Sequence, residues 1–176
     1  MKKLLLFSFV VLMLVFSAST VFAATDSIHL IVSNDASFEY ERSFSQDTSI
    51  CIGAGFAGVV SYGGNSISGF SVSAGMKKYV EFNGIEPQEQ QGFYLGGFIG
   101  MGFITMKNST ETANVTALTV SGIGGYKHIF NNNICLDGGL GLGLGYMSSD
   151  SSVSEDFKTN MWALGLGLRL AVGYSW

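Results

Sequence analysis

Residues 137 to 150, DGGLGLGLGYMSSD, place glycine at every second position and leucine or tyrosine at most positions between. A repeat of two is the repeat of a β-strand, whose side chains point alternately to opposite faces. In a soluble sheet the apolar face lies on a core and the other face carries polar groups for water. Here one face is leucine and the other is almost bare. That combination suits a wall with lipid on its leucine side and the crowded interior of a narrow barrel on its glycine side. The same code recurs in MWALGLGLRLAVGYSW (161–176), where Trp162, Leu164, Leu166, Leu168, Leu170, Val172, Tyr174 and Trp176 share one parity. Gly165, Gly167, Arg169, Ala171 and Gly173 share the other.

Read with this period, the chain divides into alternating segments separated by turn residues. ASFEYERSF, SICIGAGFAGVVSY, GFSVSAGMKKYV, GFYLGGFIGMGFITM, TALTVSGIGGYKHIF and the two segments above make seven strands. SQDT (45–48), GGNS (63–66), 81–91, 107–114 and NNN (131–133) read as connections. An antiparallel barrel with both termini at one end needs an even number of strands. SIHLIVS (27–33), turning at Asn34-Asp35, is therefore assigned as the first, although its alternation is poor. The expected fold is all-β, an eight-stranded antiparallel transmembrane up-and-down β-barrel. Strands about 4.8 Å apart and tilted about 40° give such a barrel a diameter of roughly 16 Å.

The N-terminus supplies the route to a membrane. Lys2 and Lys3, the apolar run Leu4 to Phe16 and the small-residue exit ending at Ala23 read as a secretory signal peptide over 1–23, leaving 24–176 as the barrel domain. Loss of the two lysines takes Lys+Arg from 9 to 7 against 13 Asp+Glu, a net charge of −6, which argues against a nucleic-acid partner. Mean hydropathy of +0.36 with 12% charged residues is high for a soluble domain. Alternation reconciles it with a membrane, because only every second residue must face lipid.

The segments also carry a resemblance. LRLAVGYSW, with apolar and aromatic residues alternating up to a terminal aromatic, resembles the insertion signal read by the outer-membrane barrel assembly machinery. That implies a recognition role for Leu170, Val172, Tyr174 and Trp176. FEYERSFSQDTSICIG, GMKKYV, GFYLGGFIGMG and GYKHIFNNNICLDGGLGLGLGY resemble, in order, segments of small bacterial outer-membrane β-barrel proteins of unknown function, of the outer-membrane protein X and opacity-protein type. The resemblance implies a bacterial outer-membrane location, with outer-membrane lipid and the assembly machinery as partners. It also departs from the pattern: Lys77 stands where an inward arginine is common, and a tryptophan is common near His128.

Chemistry-bearing residues are sparse. His29 and His128 are far apart in sequence and lack carboxylate or thiol neighbours at metal-ligand spacing, so neither a metal nor a cofactor is expected. His128 has outward parity near a strand end and reads as part of an interfacial girdle. Outer-membrane lipid A deacylases carry an outward histidine and serine two residues apart; two residues after His128 comes Phe130, and no enzyme is expected. Cys51 and Cys135 both have inward parity but lie on opposite walls, too far apart for a disulfide, and are read as free thiols.

The inward charges are more informative. Glu39, Glu41, Lys77, Lys127, Asp137 and Arg169 share lumen parity, three acids against three bases, the balance that buried ions require. With both termini in the periplasm, these six lie in the periplasmic half and at mid-depth. Inward positions further out are small: Gly55, Ala57, Ser71, Ser73, Thr119, Ser121, Gly141, Gly143, Ala163 and Gly165. The expectation is a non-catalytic outer-membrane barrel with a structural or cell-surface interaction role and an interior filled by an ion-pair network. Its surface ligand, if it has one, is unknown. The alternative is a narrow pore or a small-solute receptor with an externally open cup, rimmed by Asp150, Glu155 and Asp156.

Overall fold

The computed structural model describes residues 26–32, 36–62, 65–84, 86–88, 90–107, 112–151 and 160–176. The signal segment 1–23, the Asn34-Asp35 turn and the loop acids Glu155 and Asp156 lie outside the described residues. Eight strands follow one another: β1 (Asp26–Val32), β2 (Ala36–Ser43), β3 (Thr48–Tyr62), β4 (Asn65–Val80), β5 (Gly92–Lys107), β6 (Thr112–Ile129), β7 (Ile134–Ser151) and β8 (Asn160–Ser175). Each pairs antiparallel with the next, and β1 pairs with β8, so the sheet closes into a barrel. Where β1 meets β8, over Ser27–Ile31 and Ala171–Ser175, closure satisfies the ladder hydrogen bonds from within the sheet, which is what a wall facing hydrocarbon needs.

Register carries the tilt of the wall. A line of paired residues runs from Ile31 through Ser37, Gly55, Ser71, Gly102, Ala117 and Met147 to Met161, yet Ile31 itself faces Ala171 of β8. The line thus returns ten residues along β8, from Met161 to Ala171, the stagger that tilted strands impose on a closed barrel.

Leucine parity faces outward, as the alternation requires. Leu140, Leu142, Leu164, Leu166 and Leu168 are all exposed on the outer wall. Aromatic rings border this belt. Near the termini Phe82 packs on Phe93 and Phe93 on Tyr126; toward the other end Phe56 packs on Phe70 and Tyr146 on Trp162. Phe93 and Phe103 lie ten residues apart on β5, about 25 Å along the axis at ~3.3 Å per residue and a tilt near 40°, the height of an outer-membrane apolar band. At the terminal end the β2–β3 turn is pinned by Asp47, whose carboxylate accepts from Ser45 Oγ (2.8 Å) and Thr48 Oγ1 (3.0 Å). These hydrogen bonds hold its carboxyl below the usual range.

The strands differ from the sequence reading at their outer ends. β6 begins at Thr112, within the stretch read as a loop, and Thr112 to Asn114 pair with Thr105 to Lys107. β4 likewise begins at Asn65, inside what reads as a turn. Past the apolar belt neither face needs to be apolar, so pairing continues where hydropathy no longer alternates. In β1 the alternation is clear once the lumen is known: Ser27 and His29 are buried inside, and Ile28, Leu30 and Val32 point outward.

One glycine is required where β1 meets β8. A Cβ on Gly173 would run into the Ile28 carbonyl and stand 2.8 Å from His29 Nδ1 and 2.9 Å from Cys135 Sγ, whereas Gly165 has no atom within 4 Å of that position. Overpacking costs about 1–3 kcal/mol. Gly173→Ala should lower unfolding stability by that amount in urea titrations of refolded protein in detergent, and Gly165→Ala should leave it nearly unchanged.

Candidate functional site

The terminal half of the lumen holds a closed polar cluster. Parity turns Glu39 and Glu41 of β2, Lys77 and Tyr79 of β4, Tyr94 of β5, Lys127 of β6, Asp137 of β7 and Arg169 of β8 inward, and register brings them to neighbouring depths. The Arg169 guanidinium grips Glu39 with two hydrogen bonds, Nη1 to Oε2 at 3.0 Å and Nη2 to Oε1 at 2.7 Å, and Nε donates to Asp137 Oδ2 at 2.8 Å. Lys77 Nζ donates to all three carboxylates: Glu41 Oε2 (2.9 Å), Glu39 Oε1 (3.1 Å) and Asp137 Oδ2 (3.1 Å). Lys127 Nζ donates to Ser27 Oγ (2.9 Å), Glu41 Oε2 (3.1 Å) and Gln90 Oε1 (3.2 Å). The six charged residues named from the sequence therefore meet in one place. All are buried, with Glu41, Lys77 and Lys127 at 0% exposure.

Five further members were not assigned a role from the sequence. Tyr79 OH donates to Glu41 Oε1 (2.6 Å) and Tyr94 OH to Asp137 Oδ1 (2.5 Å), filling acceptor sites that the cations leave open. Parity alone places both rings inside; nothing local says that they reach a carboxylate. Ser27 Oγ donates to Gln90 Oε1 (2.9 Å), and His29 Nε2 lies 3.0 Å from Ser27 Oγ and 3.3 Å from Glu41 Oε2. Gln90 comes from the β4–β5 connection, which folds into the barrel base and buries the side chain completely. A residue outside any strand carries no parity, so periodic reading has no means of finding it.

His29 does not stand in a hydroxyl–imidazole–carboxylate relay. Ser27 and Glu41 both meet Nε2 of His29, whereas a hydroxyl–imidazole–carboxylate relay needs one partner on each ring nitrogen. Nδ1 instead faces Cys135 Sγ at 3.7 Å, and that thiol is fully buried. Glu39, Glu41 and Cys51 offer ligand atoms within 4.8 Å of one another, but the carboxylates there already receive Lys77, Lys127 and Arg169. Both cysteines are free and buried. His128 sits in the aromatic border at the terminal end, edge-on to Phe130 at 4.5 Å. Leu170, Val172, Tyr174 and Trp176 all project from the outer wall, with Tyr174 and Trp176 stacked at 6.4 Å.

Above the cluster the lumen is open. A cavity of about 590 Å³ has Glu39 and Arg169 at its floor and Ser73, Phe98, Thr119, Ser121 and Gly143 along its walls. Phe98 narrows it without filling it, and Met161 is not part of its lining.

Removing one partner of a buried pair leaves its counter-charge unpaired, at a cost of about 3–5 kcal/mol. Arg169→Ala should lose stability of that order in urea unfolding of the refolded barrel. Arg169→Ala combined with Glu39→Gln should recover part of it, and a single variant that unfolds like the parent would show that the pair contributes nothing.

No family profile matches the chain, and no curated protein is significantly similar to it. Solved structures do match. The N-terminal β-barrel domain of OprF from Pseudomonas aeruginosa aligns over 87% of this chain and 96% of its own, with a TM-score of 0.58 and 13% identity. Neisserial surface protein A, NspA, aligns over 86% of this chain and 92% of its own, with a TM-score of 0.50 and 12% identity. At such identities the likeness concerns the fold. The chain has the fold of the small eight-stranded outer-membrane β-barrels, and the apolar, aromatic-bordered belt on its outside is the surface of a wall that faces lipid.

Proposed function

We propose that this is a non-conducting, non-catalytic outer-membrane barrel with a structural or surface-interaction role, its periplasmic half closed by the ion-pair cluster and its outer half left as a cup. The observation that carries this reading is the burial of all six charges in mutual contact. A pore lined by charged rings must leave charge exposed to passing solutes. Here three carboxylates, three cations, two phenols and Gln90 satisfy one another across the lumen, which favours a plug. Leu170, Val172, Tyr174 and Trp176 serve as the signal for assembly into the membrane, and lipid is the principal partner of the outer wall.

A second reading, a receptor for a small molecule, is favoured by the cavity. Its volume of about 590 Å³ falls within the roughly 300–1,000 Å³ of small-molecule sites, and its walls are mostly small residues.

Refolded protein in planar bilayers should show no unitary conductance; stepwise openings in the parent protein would overturn the plug. The cup is tested by thiol access. Ser73→Cys and Ser121→Cys, each in a background lacking Cys51 and Cys135, should react with a small membrane-impermeant thiol reagent added to intact cells. The native Cys51 and Cys135, level with the plug, should resist it. Equal reaction at all positions would indicate an open channel, and none at Ser73→Cys or Ser121→Cys would indicate a filled barrel.

A further inference from the structure

The barrel wall is not of even height. β1 and β2 are 7 and 8 residues long, and β3 to β8 are 15 to 18. All eight reach the terminal end, so the shortfall is entirely at the outer end. Val32 faces Ala36 at the outer end of the described hairpin. On one side of the hairpin, β8 is paired to β1 only from Ala171 toward the terminus, leaving its edge from Asn160 to Leu170 without a β1 partner. On the other side, β3 is paired to β2 only as far as Phe56. Among the described residues no ladder joins β8 directly to β3.

This gap lies at membrane depth. Trp162, in the outer aromatic border, is nine residues from Ala171, roughly 20 Å higher along the axis at ~3.3 Å per residue and a tilt near 40°. On its β8 side the described hairpin therefore ends well inside the apolar band, whereas on its β3 side Ala36 reaches the level of Phe56. Leu164 and Leu166, on the free stretch of β8, are 77% and 84% exposed, above every other large apolar side chain described, as expected where the neighbouring strand is missing. Directly across the lumen, β5 and β6 present Phe98 and Ser121 on the cup wall.

Resting on the cup described above, we propose that the cup opens sideways into the surrounding leaflet through the wall above the β1–β2 hairpin, and that it takes an acyl chain of a lipid from that leaflet. Two requirements meet at the gap. The N–H and C=O groups of β8 that have no β1 partner in the ladder are costly in hydrocarbon unless other partners meet them. The opening itself is bordered by leucine and lipid. A molecule with a hydrocarbon chain and a polar group meets both demands: the chain enters past Leu164 and Leu166, while the polar group and cup water meet the strand edge. The mutually neutralised Glu39–Arg169 pair on the floor leaves no charge awaiting a partner, so the chain rather than a charged head occupies the depth of the cup.

The test uses refolded protein in phosphatidylcholine vesicles doped with phosphatidylcholine carrying a photoactivatable diazirine within one acyl chain. Adducts mapped by mass spectrometry should include inward positions facing the gap, around Phe98, Thr119 and Ser121, as well as the outer leucines. Gly165→Phe with Gly167→Phe, placed where an added Cβ meets nothing within 4 Å, should block entry and reduce the inward adducts at least fivefold while leaving the outer ones unchanged. Adducts confined to the outer wall would overturn the proposal. In that case, reaction of Ser121→Cys with an aqueous thiol reagent would show that the cup survives and only the side entrance fails; no reaction would show that the cup reading has failed with it. A Leu166→Cys variant that oxidises to a disulfide-linked dimer in the same vesicles would show that a second copy covers the gap, and would likewise overturn lipid entry.

Discussion

Arg169 is the only charge in a terminal strand otherwise made of apolar and small residues, and it joins β2 and β7 across the lumen through Glu39 and Asp137. A guanidinium suits this task because its planar array of donors can hold one carboxylate with two hydrogen bonds and still reach another. Lys77 ties the same acids to Glu41, and Lys127 extends the contacts to β1 and to the β4–β5 connection. The cluster thus connects β1, β2, β4, β6, β7 and β8, and through Tyr94 also β5, which no single ladder does. In an interior lacking an apolar core, these contacts take over the task of holding opposite walls at a set distance. Losing any one partner would leave an uncompensated charge in a low-dielectric space.

Glycine makes this interior possible. Where the cluster is dense, Gly125 lies against the Tyr94 ring and Gly173 against His29 and Cys135, and a side chain at either position would displace a member of the network or the adjoining backbone. Where the lumen opens, Gly165 and Gly167 touch nothing, and their bareness yields volume instead of close approach. One residue type therefore serves opposite ends of the barrel in opposite ways: it admits large polar groups below and leaves space above.

Among the described residues the outer half has an incomplete wall, and the proposed side opening gives a way for it to be tolerated. A short β1–β2 hairpin would expose strand edges to hydrocarbon if the lumen behind it were dry and filled. An open cup behind the gap gives those edges access to water and to the polar parts of lipid. The open lumen and the low hairpin are physically linked, because filling the one would leave the backbone at the other without partners.

Much of this architecture is legible in the sequence because the demand of lipid is local: every second residue of a wall strand must be apolar, and the pattern in 137–150 and 161–176 shows it directly. Parity likewise marks Glu39, Glu41, Lys77, Lys127, Asp137 and Arg169 as inward. It does not say which acid meets which base, because that depends on the stagger of eight strands accumulated around the closed barrel. Tyr94 and His29 share the inward parity, but their hydrogen bonds to Asp137 and Glu41 exist only once register sets depth. Gln90 lies outside the repeat and enters the lumen because its connection folds inward. The extension of β4 and β6 past the apolar belt was equally hidden, since hydropathy stops alternating where lipid ends while backbone pairing does not. The side gap is a property of relative strand heights. The amino-acid sequence determined which face of each strand meets lipid, and tertiary closure decided what those strands enclose, because depth in a tilted barrel is a sum over all its registers.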